Sequence, residues 1–418
     1  MDVHMLSDGR PALVTYTMDR HEHYSVTRTA TNAEYVSHGK HDNLPVLIEE
    51  LICDNNIVPT IIKTRRNLLI GQGLMAYKPR YEDGELIKDR VDMPRDLDDW
   101  LTDNVVDDYL SAAARDLYIH GLFYTEVIPN RGQTTASFRV VKPRKVRARK
   151  MKSGRIPGYL VGPFDDDIDT SSVTPVAAYD PTGALSRKCM MRCMDTLLGS
   201  DYYPCPSWYG SRNWIQLANH IPLFHLANLE NSYAPRLHIE IPMEYVMIMI
   251  GPRPGGDGEK LETWKSSKES LQQQIITELD DKLQGKENAG RTVATFYFYD
   301  KEGNAHGVKI KPIDLKLNDD AMLKLFNSSN QAMTSAHATP ASLAALQTEG
   351  KLSSGSDTRN QHAQYLAVHT PLDRKLILRP LREIKRKLGI APGIEICFHD
   401  IKITTLADNK AGKEDVTL

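Results

Sequence analysis

Asp165, Asp166, Asp167 and Asp169 place four carboxylates within five positions, an oxygen-rich set of the kind that binds a hard cation. An EF-hand loop needs glycine at its sixth position and a carboxylate at its twelfth. Counted from Asp165 these are Thr170 and Val176, so a solvated loop is the better reading. Cys189 and Cys193 stand at C-x-x-x-C spacing with Cys205 further on, but no histidine completes a zinc site. Buried or partly buried thiols are expected instead. The stretch Gly251–Lys260 is glycine-rich yet lacks the lysine and hydroxyl of a phosphate-binding loop, and reads as a turn. His21-Glu22-His23 cannot put both imidazoles on one helical face, and no G-x-S-x-G nucleophile motif occurs. These residues assemble no catalytic centre, and neither a cofactor nor a metal is expected.

Residues 142–150, KPRKVRARK, carry six cations in nine positions. Read as a strand, Lys145, Arg147 and Arg149 share a face opposite Val146, Ala148 and Lys150. Such a face could meet DNA phosphate. The favoured reading is an edge strand, solvated or facing another subunit and kept soluble by its charge.

Fifty-two Lys and Arg against fifty-four Asp and Glu leave a net charge of −2 over 418 residues, which excludes a chain that coats nucleic acid through charge alone. It leaves open contact with DNA along one small surface. The length fits about two or three domains. Five cysteines, an odd number without a pairing pattern, fit a reducing compartment. The start, MDVHMLSDGR, lacks a signal peptide's charged-then-apolar order, and the apolar run near Tyr245–Ile250 is far too short to cross a bilayer.

The elements follow from periodicity. The first forty residues read as strands or an extended arm. Helical spacing begins at Asn43 (Leu44, Leu47, Ile48, Leu51, Ile52) and resumes from about Asn55 to Leu69, stopped by Gly71 and Gly73. One helix is expected from Leu97 through Leu117 to Gly121. There the period changes to two. FYTEVIP and SFRVVKP flank NRGQ as a hairpin, followed by a strand in KVRARK, a turn at Lys152-Ser153-Gly154 and a strand in RIPGYLVG. Loops are expected at 164–187 and 196–210. A helix from about Ser211 to Asn231 contains Pro222. A small β-α-β-β module follows: LHIEIP, a helix from about Leu261 to Leu283, and a hairpin of RTVATFYFYD with GVKIKPI through Lys301–Asn304. The next helix starts near Asn318 or Asp319 with Met322, Leu325, Phe326, Met333 and Ala336 in an apolar stripe. Lys324, Asn327, Ser328, Gln331, Thr334 and Ser335 take the opposite, mostly neutral face. Pro340 ends it. A loop rich in small residues spans 340–357, then a long helix to about Leu388 is bent or broken at Pro371 and Pro380, and a last strand lies in IEICFHDIKIT.

In this order the segments resemble a tailed-bacteriophage portal protein of the compact phage or prophage type. The resemblance rests on NNIVPTIIKTRRNLLIGQGL, the strand-turn-strand RVVKPRKVRARKMKSGRIPGYLVG, the proline-tryptophan entry to a helix in PSWYGSRNWIQLANHIPLFHLANLENSYAP, the module at 236–313 and the bent helix VHTPLDRKLILRPLREIKRKLGI. It covers most of residues 40–395. It implies an α+β portal fold: N-terminal arm and α/β wing at 1–210, first stem helix at 211–235, clip at 236–316 and second stem helix at 317–339. A tunnel loop at 340–357, a long bent wing helix at 358–395 and a short tail or crown at 396–418 complete it.

The resemblance further implies a dodecameric ring in the virion, at the capsid's portal vertex, assembled in the host cytoplasm and hydrolysing nothing. Double-stranded DNA would pass through it regardless of sequence during packaging and ejection. The large terminase, then head-completion or adaptor proteins, would dock on the clip around Trp264, the Gly285-Lys286 pair, Asn288 and Lys301. The major capsid protein, and a scaffold, are further partners; no membrane is. Lys324, Asn327, Ser328, Gln331 and Thr334 would line the tunnel with Lys351, while Leu343, Ala344 and Leu346 would form an apolar collar. Rival readings are another ring-forming virion connector and, further off, a metal-dependent nuclease built on Asp165–Asp169.

Overall fold

Prolines in the first turn start both opening helices, α1 (Leu44–Cys53) and α2 (Val58–Ile70), where the missing N–H costs no intrahelical bond. Asn55 caps the second: its Oδ1 accepts the N–H groups of Ile57 and Val58 at 3.0 and 2.9 Å. Gly71 ends it at φ 61°. The computed structural model describes residues 35–164, 173–231, 237–255, 258–283, 292–297, 309–312, 319–344 and 355–400. The chain divides into two units, Met1–Ile215 with Gln331–Leu418, and Gln216–Asn330.

In the first unit a hairpin follows that periodicity does not announce, β1 (Leu74–Glu82) with β2 (Glu85–Val91). Its turn is Asp83-Gly84, both at positive φ (51° and 83°), the Asp-Gly pair that two-residue hairpin loops select. The expected single helix to Gly121 is two helices, α3 (Arg95–Asp103) and α4 (Val106–His120), broken at Asn104-Val105. The Asn104 amide donates to Trp100 O at 2.8 Å and its Oδ1 accepts the Phe138 N–H at 2.9 Å, with Val105 left-handed at φ 47°. The apolar spacing carries across the break and so conceals it.

Six strands make the main sheet: β3 (Leu122–Pro129), β4 (Ala136–Val141), β5 (Val146–Ala148), β6 (Gly158–Val161), β7 (Thr174–Ala178) and β8 (Cys189–Met194), in the order β4-β3-β8-β7-β6-β5. Only β7 and β8 run parallel. The β3–β4 hairpin and the turn at Ser153-Gly154 are as expected. The loop expected at 164–187 is interrupted by β7, which buries one residue, Val176, and so shows no alternation. Leu122, Tyr124, Val146, Ala148, Tyr159, Val176 and Met190 pack with Val36 and Tyr203 as the core. The Tyr203 hydroxyl donates to Val36 O at 2.7 Å and accepts the Ala148 N–H at 2.9 Å, so the arm at residues 35–36 is tied to edge strand β5.

A 3-10 turn at Ser207–Ser211 leads into α5 (Arg212–Asn231), which contains Pro222 as expected. The second unit then holds β9 (Leu237–Pro242), α6 (Met243–Ile250), α7 (Glu259–Leu283), β10 (Thr292–Tyr297) and β11 (Lys309–Pro312). Here the expected hairpin is corrected. β9 lies between the two later strands, parallel to β10 and antiparallel to β11. The α7 crossover returns the chain parallel to β9, and β11 takes the other edge. The apolar run YVMIMI is the additional helix α6.

After α8 (Asp319–Ala336) the chain re-enters the first unit through α9 (Gly355–His369), α10 (Pro371–Leu388) and β12 (Glu395–Phe398). The long helix is broken at Pro371 and runs through Pro380 unbroken. β12 pairs antiparallel with β1, giving the three-stranded order β12-β1-β2. The buried face of α10 (Ile377, Leu378, Leu381, Ile384) packs toward β8, α4 and β12.

Candidate functional site

Asp319 and Asp320 open α8, where negative charge is favoured by the helix dipole. Asp320, Lys324, Ser328, Gln331 and Ser335 are exposed along one polar row, with Asn327 half-buried beside it and Leu323 exposed at its margin. The expected neutral face is therefore present, with one correction. Thr334 points in the same direction but is buried, its Oγ1 donating to Gln331 O at 2.9 Å. Helical angle gives the direction of a side chain; it does not say where along the axis a neighbour begins to cover it. Here a cavity of about 380 Å³ beneath α9 is lined by Thr334, Ser335, Thr339, Gln361 and Tyr365.

The helix ends by a mechanism other than Pro340. Ala338 is left-handed at φ 49°, its N–H bonds to Ser335 O at 3.0 Å, and the Thr339 N–H bonds to Thr334 O at 3.0 Å. This is a Schellman cap with alanine where glycine is usual. Leu343 is half-buried and Ala344 buried, so Ala344 is not free to present an apolar collar. Leu346 and Lys351 lie outside the described residues, as do Gly285, Lys286, Asn288, Lys301 and the Asp165–Asp169 cluster.

Beneath the cap, His337 is buried and stacks on Trp208 with ring centroids 5.5 Å apart. Burial, with the Arg65 charge adding to it, pushes the imidazole down to about 3, so it is neutral at physiological pH. Neither ring nitrogen has a hydrogen-bond partner among the described residues. Trp208 is fixed from the other side, its indole N–H donating to Tyr118 O at 2.9 Å. Arg65 of α2 lies 3.9 Å from the Tyr118 ring centre and donates to the Tyr365 hydroxyl, joining α2, α4 and α9. The base of α8 thus rests on a polar-aromatic bed.

The basic run 142–150 departs from the charged edge strand expected of it: Lys142 and Lys145 are exposed, but the run is not one strand. A 3-10 turn occupies Pro143–Lys145 and the strand is only Val146–Ala148. Arg147 is wholly buried: its guanidinium bonds to the carboxylate and carbonyl of Asp42 and to the carbonyls of Arg144 and Val146, and it sits 4.6 Å from the Phe164 ring centre. These carbonyl oxygens make an electronegative pocket for the guanidinium, which alternation cannot show. β5 is an edge strand as expected, and its edge is occupied by residues 35–36.

Cys189 and Cys193 are buried free thiols on β8, pushed by burial up to about 11 and about 12, so neither offers a thiolate at neutral pH. Among the described residues no cluster of His, Cys, Asp or Glu could hold a metal ion, and no helix is long and apolar enough to cross a membrane. Trp264 is half-buried on α7 and donates its indole N–H to Gly251 O at 3.1 Å, which closes the turn after α6. Sequence reasoning passes over the exposed apolar residues Tyr81, Leu197 and Leu372, because exposure is a tertiary property.

No protein-family model and no curated protein matches the chain. Solved structures do resemble it. A chain from the neck of an empty gene transfer agent particle, computed with C6 symmetry, superposes with a TM-score of 0.52 at 16% identity, over 85% of this chain and 84% of that one. One from the neck of a native particle, computed with C12 symmetry, gives 0.51 at 14% identity over 88% and 86%. At these identities what the chain shares with the particle-neck chains is its α+β fold, across most of its length.

Proposed function

We propose that this chain is a portal-type structural protein of a phage-like particle. Identical copies form a ring, dodecameric in the virion, at a capsid vertex, through which double-stranded DNA is packaged and released regardless of sequence. The supporting observation is the fold likeness: it spans more than four-fifths of both chains, and the matching chains come from necks of particles with C6 or C12 symmetry. The domain boundaries of the portal reading, its capsid and scaffold partners and the docking of terminase and head-completion proteins on the second unit belong to this proposal. So does its structural, non-catalytic role.

The α8 row suits the task physically. Each Lys or Arg paired with phosphate must be released before a duplex advances. Ser328, Gln331 and Asn327 offer neutral side chains whose bonds exchange readily with water, leaving Lys324 the cation of the row. Electron microscopy of the purified protein tests the reading: rings with an axial hole wide enough for a duplex are expected, and solitary molecules at every concentration would refute it. Asn327→Arg with Gln331→Arg should slow DNA packaging several-fold while rings still form; unchanged packaging would remove α8 from the channel wall. A second reading, another ring-forming connector, is favoured because both matching chains come from particle necks. Labelled antibody on assembled particles separates the two, since a portal sits at the capsid shell.

A further inference from the structure

The outer half of the β1–β2 hairpin has no support among the described residues of its own chain. β12 pairs with β1 only over Leu74–Tyr77, so Lys78–Glu82 and Glu85–Asp89 form a two-stranded ribbon. No residue from Lys78 to Val91 is buried. An isolated two-stranded ribbon is marginally stable in water. Its tip nevertheless carries an apolar pair, Tyr81 directly opposite Leu86, with 74% and 45% of their surfaces exposed. Beside them Asp83 and Glu85 are exposed and in no ion pair among the described residues, whereas Glu82 is held by Arg80.

A complementary groove lies elsewhere in the same unit. The outer face of α10 and the segment after β8 enclose about 660 Å³, with Leu197 and Leu372 each 72% exposed and Leu376 between them. Several charges of its rim are already used: Glu383 by Arg386 and Tyr179, Arg382 by Ile396 O and Glu395, and Asp195 by the Leu197 N–H. Asp373 is largely buried near Arg65 and Tyr118. Lys375 and Arg379 stay exposed, with no ion pair among the described residues.

We infer that the β1–β2 tip of one copy docks in the α10 groove of a second copy, Tyr81 and Leu86 against Leu197, Leu372 and Leu376, and Asp83 and Glu85 toward Lys375 and Arg379. Both surfaces are exposed among the described residues of one copy, which leaves each open to a second copy. Two different surfaces meeting in this way form a heterologous interface, the kind that closes into a ring. The inference rests on the ring proposed above and names one of its joints.

The test uses the full chain in a Cys53→Ser background, because Cys53 is the exposed cysteine. Tyr81→Cys with Leu372→Cys, mildly oxidised, should give a ladder of disulfide-linked multimers, and neither single variant should. Arg379→Glu and Glu85→Lys should each raise the concentration needed for rings about tenfold, and the two together should restore it. Circular dichroism verifies that each variant folds. Rings that form without a ladder, or without charge-swap rescue, overturn the joint and leave the ring intact. Absence of rings in the unaltered protein overturns both.

Discussion

Arg147 shows how far a single side chain can depart from what its neighbours suggest. Six cations in nine positions read as a charged surface, yet this one is buried and bound to Asp42 and to backbone carbonyls. Removing one partner of a buried pair strands the other, at a cost of about 3–5 kcal/mol. Arg147→Met should therefore lower unfolding stability by that amount in denaturant titrations, while Lys152→Ala, on the exposed turn, should change it by less than about 0.5 kcal/mol. His337 makes a prediction in pH. Its folded-state value, about 3, lies below the ordinary 6.5, so between these the unfolded chain binds the extra proton. Stability is then complete above pH 6.5 and falls as the pH drops toward 3, by on the order of 2 kcal/mol at pH 5. His337→Phe keeps the ring on Trp208 and has no proton to gain, so its melting temperature should fall less between pH 7 and 5 than the parent's.

At the scale of elements, the end of α8 is decided by backbone conformation. Ala338 occupies a left-handed position that costs an L-residue about 1–2 kcal/mol, relieved by glycine. Ala338→Gly should raise stability by about 0.5–1 kcal/mol, read as a higher melting temperature. No change would show that the cap's two hydrogen bonds hold the turn without strain. Helices were the legible elements here, because α1, α2, α5, α7 and α8 each repeat apolar residues over two turns or more. The short strands β7 and β8 and the break at Asn104-Val105 were not. A five-residue strand with one buried side chain carries no period, and a break that keeps the apolar phase leaves none missing. The Asp83-Gly84 turn was legible in the chain but not its strands, since Lys78–Val91 buries no residue and shows no apolar face.

For the whole molecule, order mattered more than any motif. The carboxylate, cysteine, glycine-rich and histidine segments assemble no catalytic site in the sequence, and the described residues bring no metal-binding cluster together. The proposed structural role predicts that the pure protein incubated with duplex DNA and magnesium leaves it uncut, and clear cleavage would reopen the Asp165–Asp169 reading. The α8 row was partly legible: Lys324, Ser328 and Gln331 are exposed as their helical phase requires, whereas Thr334 in the same phase is covered.

The amino-acid order by itself determined α1, α2, α5, α7 and α8, the β3–β4 hairpin, the polar face of α8 and the succession of segments, because each depends on neighbours within a few turns or strands. Only the tertiary structure decided that β9 lies between β10 and β11, that Arg147 is interior and that Thr334 and Ala344 are covered. It alone reveals that the hairpin tip and the α10 groove stand open. Strand order and burial depend on which distant segments meet, and local periodicity holds no record of that meeting.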